Sequence, residues 1–584
     1  MNSQWNLDRL YSGFDDPRYV EDFARLEKLA EEYNQFAKTL NGREPLEGLR
    51  EGIRIQEAFY GLGEKMFLYP ELRSSVNVMD TEADSHGGRV MSLFSGSAGA
   101  GTAFREWACG IEGLMDLVRG DEYLKDYEFL FKGMVDAHRY ALSVDASQVQ
   151  ARMEMSGSNA WAKLHGYLTS TVRVNYRDQV TNLSNIRNLA YDPDPQVRKD
   201  AYEAELACYE AIREPAAHAL NAIKLETISD CKLRGYESPL ERTLKQSDMQ
   251  RATLDAMLGA MDEYLPKFWQ YLKAKAKLLG HEDGLPWYDL FAPVGKLASS
   301  YSVKEARDFL LELFSGFDRE QTEMIRRAFD EEWIDFYPRE GKAGGAFCAE
   351  IHALGESRIL TNYDGTFSDI VTLAHELGHA FHNQCVNPHR VLNRNYSMPL
   401  AETASTFNEC VVMGAAIAAA KDRQEKLALI ESQLQDVTQV ICDIYSRYRF
   451  ETMVFENREN RFMDSAALCG FMTEAQKLSY GDGLDHNVMH PYMWICKGHY
   501  YGPTFYNFPY AFGALFSRGL YALYEKEGEK FVDKYKNLLY TTPVATAEDV
   551  AKVAGIDLTD RSFWRGALET IAQRIDQFCE LAEV

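Results

Sequence analysis

Two histidines and a glutamate stand together in the segment VTLAHELGHAFH, where His375 and His379 are four residues apart and Glu376 follows the first. On an α-helix, residues four apart share a face, so both imidazoles can reach one metal ion. Two neutral imidazoles suit Zn²⁺, and an adjacent carboxylate can take a proton from a water molecule. The segment therefore predicts one zinc ion per chain, with Glu376 as the general base of a hydrolytic reaction. The alternative is two surface histidines beside an ordinary glutamate.

A zinc site of this kind needs a third protein ligand and leaves one position for water. His382 lies on the same helix face, but one helix cannot easily bring three imidazoles to one ion, so we predict a supporting or packing role for it. The longer pattern HExxHxxGxxH is excluded, because its glycine and third histidine positions hold His382 and Cys385. A glutamate on a following helix remains. The segment SMPLAETASTFNE predicts such a helix over residues 397–409, with Pro399 in its first turn.

This predicted helix carries two glutamates, Glu402 and Glu409, whose seven-residue separation points both to the same side. A solvated acidic face is the alternative, but the neighbouring residues are small or apolar. We predict that Glu402 is the third ligand and that Glu409 accepts a hydrogen bond from one imidazole and orients it.

The elements that must position these residues are mainly helical. No proline occurs between Pro70 and Pro193 or between Pro399 and Pro491, and such long stretches are hard to build from strands and turns. Residues 248–279 place apolar side chains at three- and four-residue intervals, as amphipathic helices do. The sequence therefore predicts a mainly α fold.

One region breaks the helical pattern. Residues 344–351 and 357–363 predict two short strands, joined by a turn at 354–356. Another turn follows, and Ser368 is the predicted N-cap of a helix that starts near Asp369. A small antiparallel β patch is thus expected next to the helix that bears the histidines.

Composition narrows the class of protein. The chain has 584 residues, 46% of them hydrophobic, and a formal net charge of −25. That charge argues against nucleic acid or an anionic membrane as a partner, since either would repel it. The ten cysteines are scattered without any CxxC pair, which indicates reduced thiols in a cytoplasmic protein. No secretory signal is visible at the N-terminus, and the longest apolar stretch, around residues 410–420, is too short to span a bilayer.

Several segments resemble the M3, or thimet oligopeptidase-type, metallopeptidases, and most closely their oligoendopeptidase F branch. The resemblance depends chiefly on TNYDGTFSDIVTLAHELGHAFH and MPLAETASTFNE. It is supported by IDFYPREGKAGGAFC, YLKAKAKLLGHEDGLPWYDLFAP and SGSNAWAKLHGYLTS, and spans roughly residues 141–520. It implies that His375, His379 and Glu402 bind zinc, that Glu376 is the general base and acid, and that short peptides are the substrates.

The resemblance also implies an architecture. The family is almost wholly helical, and two helical lobes enclose a deep channel. Its members cut short peptides at internal bonds. For this chain we expect an N-terminal helical region over residues 1–190 and a catalytic region over residues 191–584. An exposed strand edge in the β patch could pair with an extended peptide through main-chain hydrogen bonds.

The family has a late loop rich in histidine and tyrosine, matched here by KGHYYGPTFYNFPYAFG. By resemblance His499, Tyr506 and Tyr510 complete the catalytic site as donors to the oxyanion of peptide hydrolysis. An aromatic core segment is the alternative reading of this loop. His486 and His490 repeat the four-residue spacing, but no glutamate follows the first and a proline follows the second, so they predict a loop.

Three other functions stay open at this point. A helical zinc carboxypeptidase could carry the same motif, but would need a group that holds the terminal carboxylate of its substrate. An inactive peptide-binding protein of the same fold would not need Glu376. A zinc hydrolase of non-peptide amides fits the motif as well. The sequence leaves the oligomeric state and the preferred residues around the cleaved bond undetermined.

Overall fold

The first half of the chain is a succession of helices with one small hairpin. The computed structural model describes residues 2–295 and 300–582. Its first twelve helices are α1 (Pro17–Ala37), α2 (Pro45–Val76), α3 (Thr81–Cys109), α4 (Leu114–Gly120), α5 (Glu128–His138), α6 (Val144–Ser156), α7 (Ser158–Thr171), α8 (Leu183–Asn188), α9 (Pro195–Tyr209), α10 (Arg213–Arg234), α11 (Pro239–Gln246) and α12 (Arg251–Leu278). The antiparallel hairpin lies between α7 and α8 and consists of β1 (Val174–Tyr176) and β2 (Gln179–Thr181).

The second half adds a three-stranded sheet and the remaining helices. The strands are β3 (Ile334–Asp335), β4 (Phe347–Ile351) and β5 (Glu356–Leu360). The helices are α13 (Val303–Ser315), α14 (Arg319–Asp330), α15 (Phe367–Val386), α16 (Met398–Ala401), α17 (Thr403–Ala419), α18 (Arg423–Thr438), α19 (Ile444–Arg458), α20 (Ser465–Tyr480), α21 (Met493–Cys496), α22 (Phe508–Glu527), α23 (Glu529–Thr541), α24 (Ala547–Val553) and α25 (Arg561–Leu581). The predicted mainly α fold is confirmed.

Helical periodicity was the most reliable signal. The amphipathic pattern over residues 248–279 is α12, and its buried side chains recur every three or four residues, among them Leu254, Met257, Met261, Leu265 and Phe268. Within the described residues, no helix combines the length and the apolar composition that crossing a membrane requires.

The buried apolar side chains form two separate cores. One runs from Trp5 to Phe131 and is completed by Ile351 of β4 and Leu360 of β5. The other extends from Val172 to Ala582. The three-stranded sheet therefore contributes to both cores and joins the two lobes of the chain, one built around each core. The predicted division at residue 190 stays a prediction.

The predicted β patch is confirmed, with one strand more than expected. β4 and β5 are antiparallel, and Phe347 pairs with Leu360. The structure adds β3, which runs parallel to β5 and gives the order β3-β5-β4. The sequence did not predict β3, because two residues are too few to form an alternating pattern. β5 is central and buried throughout, whereas β4 is an edge strand and is mostly half-buried.

Candidate metal centre

The metal-binding face belongs to α15, whose first turn is closed by a capping box. The Thr366 hydroxyl accepts the Asp369 N–H at 3.2 Å, and the Asp369 carboxylate accepts the Thr366 N–H at 2.8 Å. The prediction of Ser368 as the N-cap is therefore wrong. The helix begins earlier, because the Thr366 hydroxyl accepts the Asp369 N–H of the first turn. Further along, His375 and His379 emerge on one side, with 25% and 21% of their side chains exposed.

A glycine lets a second helix approach α15 closely. A Cβ atom on Gly378 would lie 2.5 Å from the Ala404 carbonyl oxygen and 2.6 Å from the Ser405 Cα. A larger residue would push the start of α17 away, so the glycine of the HELGH segment has a packing role. The Asn408 side chain donates to the Ala374 carbonyl oxygen at 2.9 Å and holds the two helices together.

The predicted continuous helix over residues 397–409 is wrong, because the backbone breaks at Glu402. This residue separates α16 from α17, with φ −87° and ψ 8°. At the break, its Oε2 atom lies 3.3 Å from His375 Nε2 and 3.6 Å from His379 Nε2. The Ser405 hydroxyl donates to the same oxygen at 2.8 Å. The kink thus directs the carboxylate at both imidazoles.

These three side chains form a group that fits a zinc ion. The His375 and His379 Nε2 atoms are 3.2 Å apart, and all three donor atoms lie within 4.8 Å of one another. Tetrahedral zinc, about 2.0–2.2 Å from nitrogen and oxygen ligands, separates neighbouring donors by about 3.3 Å. Two imidazoles and one carboxylate leave a fourth position open. In residues 2–295 and 300–582 no other group of this kind occurs.

A second glutamate orients one of the imidazoles. Glu409 Oε1 lies 2.6 Å from His375 Nδ1 and accepts its hydrogen, as the sequence predicted for one of the two histidines. Burial opposes a charge on His375, but the hydrogen bond and charge of Glu409 outweigh burial and raise the pKa of the imidazole to about 9. Burial and the charge of His375 lower the pKa of His379 to about 4.

Glu376 is the buried carboxyl group of the centre, with 5% of the residue exposed. Burial, with the negative charges of Glu402 and Glu409, raises its pKa to about 7 despite the opposing charge of His375. A carboxyl group that titrates near neutrality can both accept and return a proton. The same neighbourhood contains the Cys348 thiol on β4, whose pKa is raised by burial and by the charge of Glu376.

The late loop brings its three predicted residues together. The His499 ring lies 5.6 Å from the Tyr506 ring and 6.1 Å from the Tyr510 ring, and the two tyrosine rings are 5.5 Å apart. All three side chains are half-buried, whereas Tyr500 and Phe505 are buried. The alternative of an aromatic core segment therefore fits the neighbouring residues, whereas the three predicted residues remain partly accessible.

This loop borders the break that carries Glu402. A Cβ atom on Gly513 of α22 would lie 3.0 Å from the Glu402 Cβ, so α22 packs directly on the kink. Burial, then Tyr506 and Glu402, raise the pKa of Tyr510 to about 12. The Tyr506 hydroxyl lies 4.0 Å from the Met398 sulfur in α16. Tyr506 and Tyr510 are thus next to the elements that hold the third ligand.

Comparison with known proteins agrees with this geometry. The sequence profile of peptidase family M3 matches residues 188–570, which is more than half of the chain. The chain belongs to peptidase family M3. The family match and the donor geometry together confirm the predicted metallopeptidase, its zinc cofactor and the metal group of His375, His379 and Glu402. An M3 peptidase acts on peptides, so peptides are its substrates.

Individual relatives are similar to this chain beyond the residues that the family profile matches. Oligopeptidase PepF of Bacillus subtilis (strain 168) is 22% identical over 593 residues, which cover 99% of this chain and 87% of the relative. A solved structure from Chlamydophila abortus superposes with a TM-score of 0.85 at 17% identity, covering 99% of this chain and 98% of the other. Oligoendopeptidase-F from Enterococcus faecium gives a TM-score of 0.72 at 19% identity, covering 97% and 98%. The two structures establish the M3 fold.

His382, His486 and His490 lie where the sequence predicted, outside the group of metal ligands. His382 is fully buried, bonds Thr542 Oγ1 at 2.8 Å and stacks on Tyr396, so it supports the packing of α15. His486 and His490 lie in a loop, where the first contacts a backbone carbonyl oxygen at 2.7 Å. The second lies 3.1 Å from a glutamate oxygen.

The sequence did not indicate two polar side chains that border the centre. Glu350 lies on β4, and the Tyr396 hydroxyl contacts its Oε1 atom and the Asn383 Oδ1 atom, each at 3.4 Å. Alternation along β4 could have revealed Glu350, because Phe347, Ala349 and Ile351 pack on the N-terminal core. Cys348 contacts Asn383 of α15, and Glu350 shares the side of the strand on which Cys348 lies. Tyr396 carries no such signal, since it lies in an irregular connection.

Proposed function

We propose that this M3 peptidase is a zinc-dependent oligoendopeptidase that hydrolyses internal bonds of short peptides. The observation that carries the proposal is the buried Glu376 carboxyl group beside the ligand triad of His375, His379 and Glu402. A bound zinc ion would supply a Lewis acid for the attacking water and the scissile carbonyl group. Glu376 takes a proton from that water and returns it to the departing amine, a task suited to a pKa near 7.

His499, Tyr506 and Tyr510 are proposed to stabilise the oxyanion that forms during hydrolysis. An imidazole N–H and phenol O–H groups are suitable donors, and a partly enclosed site strengthens each hydrogen bond. The half-buried state of the three side chains supports this role, because a donor must remain accessible to substrate. A cavity of about 520 Å³ beside the loop, lined in part by Met398, Tyr506 and Pro509, offers space for a peptide.

The β4 strand is the proposed binding edge for the substrate backbone. Among the strands that the structure describes, β4 pairs with β5 alone, so its other edge can offer N–H and C=O groups to an extended peptide. Such pairing binds a chain without demanding a particular sequence. It also requires an extended substrate, which a folded protein does not offer without local unfolding. We therefore propose a preference for short peptides over folded proteins. Long unfolded proteins such as casein should also be poor substrates, because an enclosed channel leaves no room for the chain beyond the site.

The proposal includes partners and location. A net charge of −25 disfavours nucleic acid and anionic membranes as partners. All ten cysteines are free, which supports a reducing compartment, and we propose the cytoplasm.

The test is cleavage of a quenched fluorescent peptide blocked at both ends, compared with casein, with and without a chelator. We expect cleavage of the blocked peptide, little cleavage of casein, and loss of activity with the chelator. Glu376→Gln should retain zinc and lose at least ~10²-fold in turnover, as expected for a lost general base. Glu474→Gln, an exposed glutamate on α20, is the matched control.

Each contrary result would change a different part of the proposal. Cleavage only of peptides with a free C-terminus would indicate a carboxypeptidase. Binding of peptides without turnover would indicate a peptide-binding protein. Comparable rates on casein would contradict the preference for short peptides, and a fully active, zinc-replete Glu376→Gln variant would remove Glu376 from the reaction.

A further inference from the structure

Phe505, just before Tyr506, adopts a backbone conformation that its side chain disfavours. Its φ angle is +51°, in the left-handed region, and it is not a glycine. A bulky residue keeps such a conformation only when its surroundings hold it there, and these positions concentrate at functional sites. Contacts with the rest of the chain must therefore hold Phe505 in this conformation.

One face of α19 holds Phe505 in place. The Glu451 carboxylate accepts the Phe505 N–H at 3.1 Å through Oε1 and the Asn507 side-chain N–H at 2.8 Å through Oε2. The Phe505 ring packs between Tyr448 and Phe455, with ring centroids 5.5 and 5.4 Å away. Positions 448, 451 and 455 lie on the same side of a helix. One helical face thus holds the backbone on both sides of Tyr506.

The contact continues to Tyr510. The Asn507 Oδ1 atom accepts the Phe508 N–H at 2.7 Å and caps α22, whose first turn contains Tyr510. The Tyr510 N–H also donates to the Asn507 carbonyl oxygen at 3.1 Å. The two oxygens of Glu451 are therefore connected to both tyrosines of the late loop, each through one intervening residue.

The Glu451 carboxylate is itself held in place by a buried ion pair. The Lys224 ammonium group of α10 lies 2.6 Å from Glu451 Oε1, and the side chains are 1% and 2% exposed. Burying this pair costs desolvation, so the pair is not explained by stability alone. The ammonium group contacts the same Oε1 atom that accepts the Phe505 N–H, so it fixes the position of that oxygen.

We propose that Glu451, oriented by Lys224, is a positioning residue for catalysis. It acts through Phe505 and Asn507, sets where Tyr506 and Tyr510 lie relative to Glu402, and does not itself contact substrate. The inference rests on the proposed function of the late loop. Glu451 lies 55 residues before Tyr506 (506 − 451) and fixes the hydroxyl donors of both tyrosines in place before substrate binds.

A matched pair elsewhere in the same lobe separates positioning from stability. Lys275 lies 2.6 Å from Glu431, and these side chains are 0% and 4% exposed. Their other hydrogen-bond partners include Tyr271 and the Leu290 carbonyl oxygen, far in sequence from the late loop. A buried pair of the same chemistry is thus available that makes no contact with residues 499–510.

The experiment replaces each pair by methionines, so that no unpaired charge remains buried. For the M3 enzyme with Lys224→Met and Glu451→Met, we expect kcat on the blocked peptide to fall by at least ~10-fold, with KM changed less and zinc content unchanged. Misplacement of about 1 Å is enough for such a loss. Lys275→Met with Glu431→Met should keep the wild-type kcat. All measurements are made well below the unfolding midpoint of each variant.

Two further variants keep the inference falsifiable if the first does not fold. Lys224→Met with Glu451→Gln restores a neutral acceptor oxygen, so part of the lost kcat should return. Asn507→Ala leaves the ion pair intact but removes the side-chain contact to Glu451 and the cap of α22, and it should also lower kcat by at least ~10-fold.

Three results would overturn the inference. One is a wild-type kcat in either the Glu451→Met double variant or Asn507→Ala. Another is an equal loss of kcat in the two methionine double variants. The third is a wild-type kcat in both Tyr506→Phe and Tyr510→Phe, which would show that the two tyrosines have no catalytic role and would also contradict that part of the proposed function. If those tyrosine variants lose kcat while the Glu451 variants do not, the proposed function stands and the positioning role fails.

Discussion

The metal centre and the late loop belong to the same site but are built in different ways. The metal centre is a contact between two helices, in which His375 and His379 share a face of α15 and Glu402 lies just before the first residue of α17. The late loop is irregular, and Tyr506 is held by a buried carboxylate on α19 and by the strained backbone of Phe505. A helical site needs only correct spacing and one close crossing, whereas a loop site needs contacts with distant parts of the chain.

The two regions also differ in the kind of contact that each makes with a neighbouring helix. α15 and α17 meet at Gly378, where the two backbones are in direct contact and no side chain can move to make room. The late loop meets α19 through side-chain hydrogen bonds, which can be exchanged or lost one at a time. We therefore expect all-or-none effects at the three metal ligands and graded effects in the late loop.

The largest effect is expected at the third ligand. Glu402→Ala removes a charged donor, so stable zinc binding should be lost and turnover should fall to the level of the chelated enzyme. Metal analysis after dialysis, together with peptide turnover, measures both. Glu409→Ala is the matched comparison, and zinc loss from that variant with retention in Glu402→Ala would reverse the assignment of the two glutamates.

A smaller, graded effect is expected in the late loop. His499→Ala, Tyr506→Phe and Tyr510→Phe should each lower kcat more than they raise KM, with a loss of up to ~10²–10³-fold for a direct oxyanion donor. Steady-state kinetics on the blocked peptide give both parameters. Tyr500→Phe is the control, because its buried hydroxyl lacks a hydrogen-bond partner among the described residues. Loss of thermal stability with unchanged kcat would instead favour the aromatic-core reading.

The smallest effect is expected at the residue that orients His375. Glu409→Ala should weaken zinc affinity or activity by roughly 10–100-fold, as lost outer contacts of a ligand do. Competition with a chelator of known affinity measures the change. Glu409→Gln keeps an oxygen that can accept the Nδ1 hydrogen, so it should recover part of the loss. If both variants bind zinc as the wild type does, the 2.6 Å contact has no role in metal binding.

Much of the fold could be predicted because helical periodicity is local. The helix over residues 251–278 and the strands β4 and β5 follow from patterns within a few residues. The errors occurred where a local pattern allowed two solutions. Thr366 and Ser368 are both suitable caps, and only the approach of the Asp369 carboxylate selects the first. The break at Glu402 was also missed, since Pro399 is compatible with a continuous helix.

By itself, the sequence determined the metal chemistry, because two imidazoles and a base at helical spacing need no distant partner to share a face. It also indicated Glu402 and Glu409, whose separation can be read along one segment. Only the tertiary structure decided which oxygen meets which imidazole, since that depends on the kink at Glu402 and on the crossing of α15 and α17. The same holds for the late loop, where Glu451 reaches Phe505 across 54 residues of sequence. Such a contact depends on packing between elements, which no local pattern encodes.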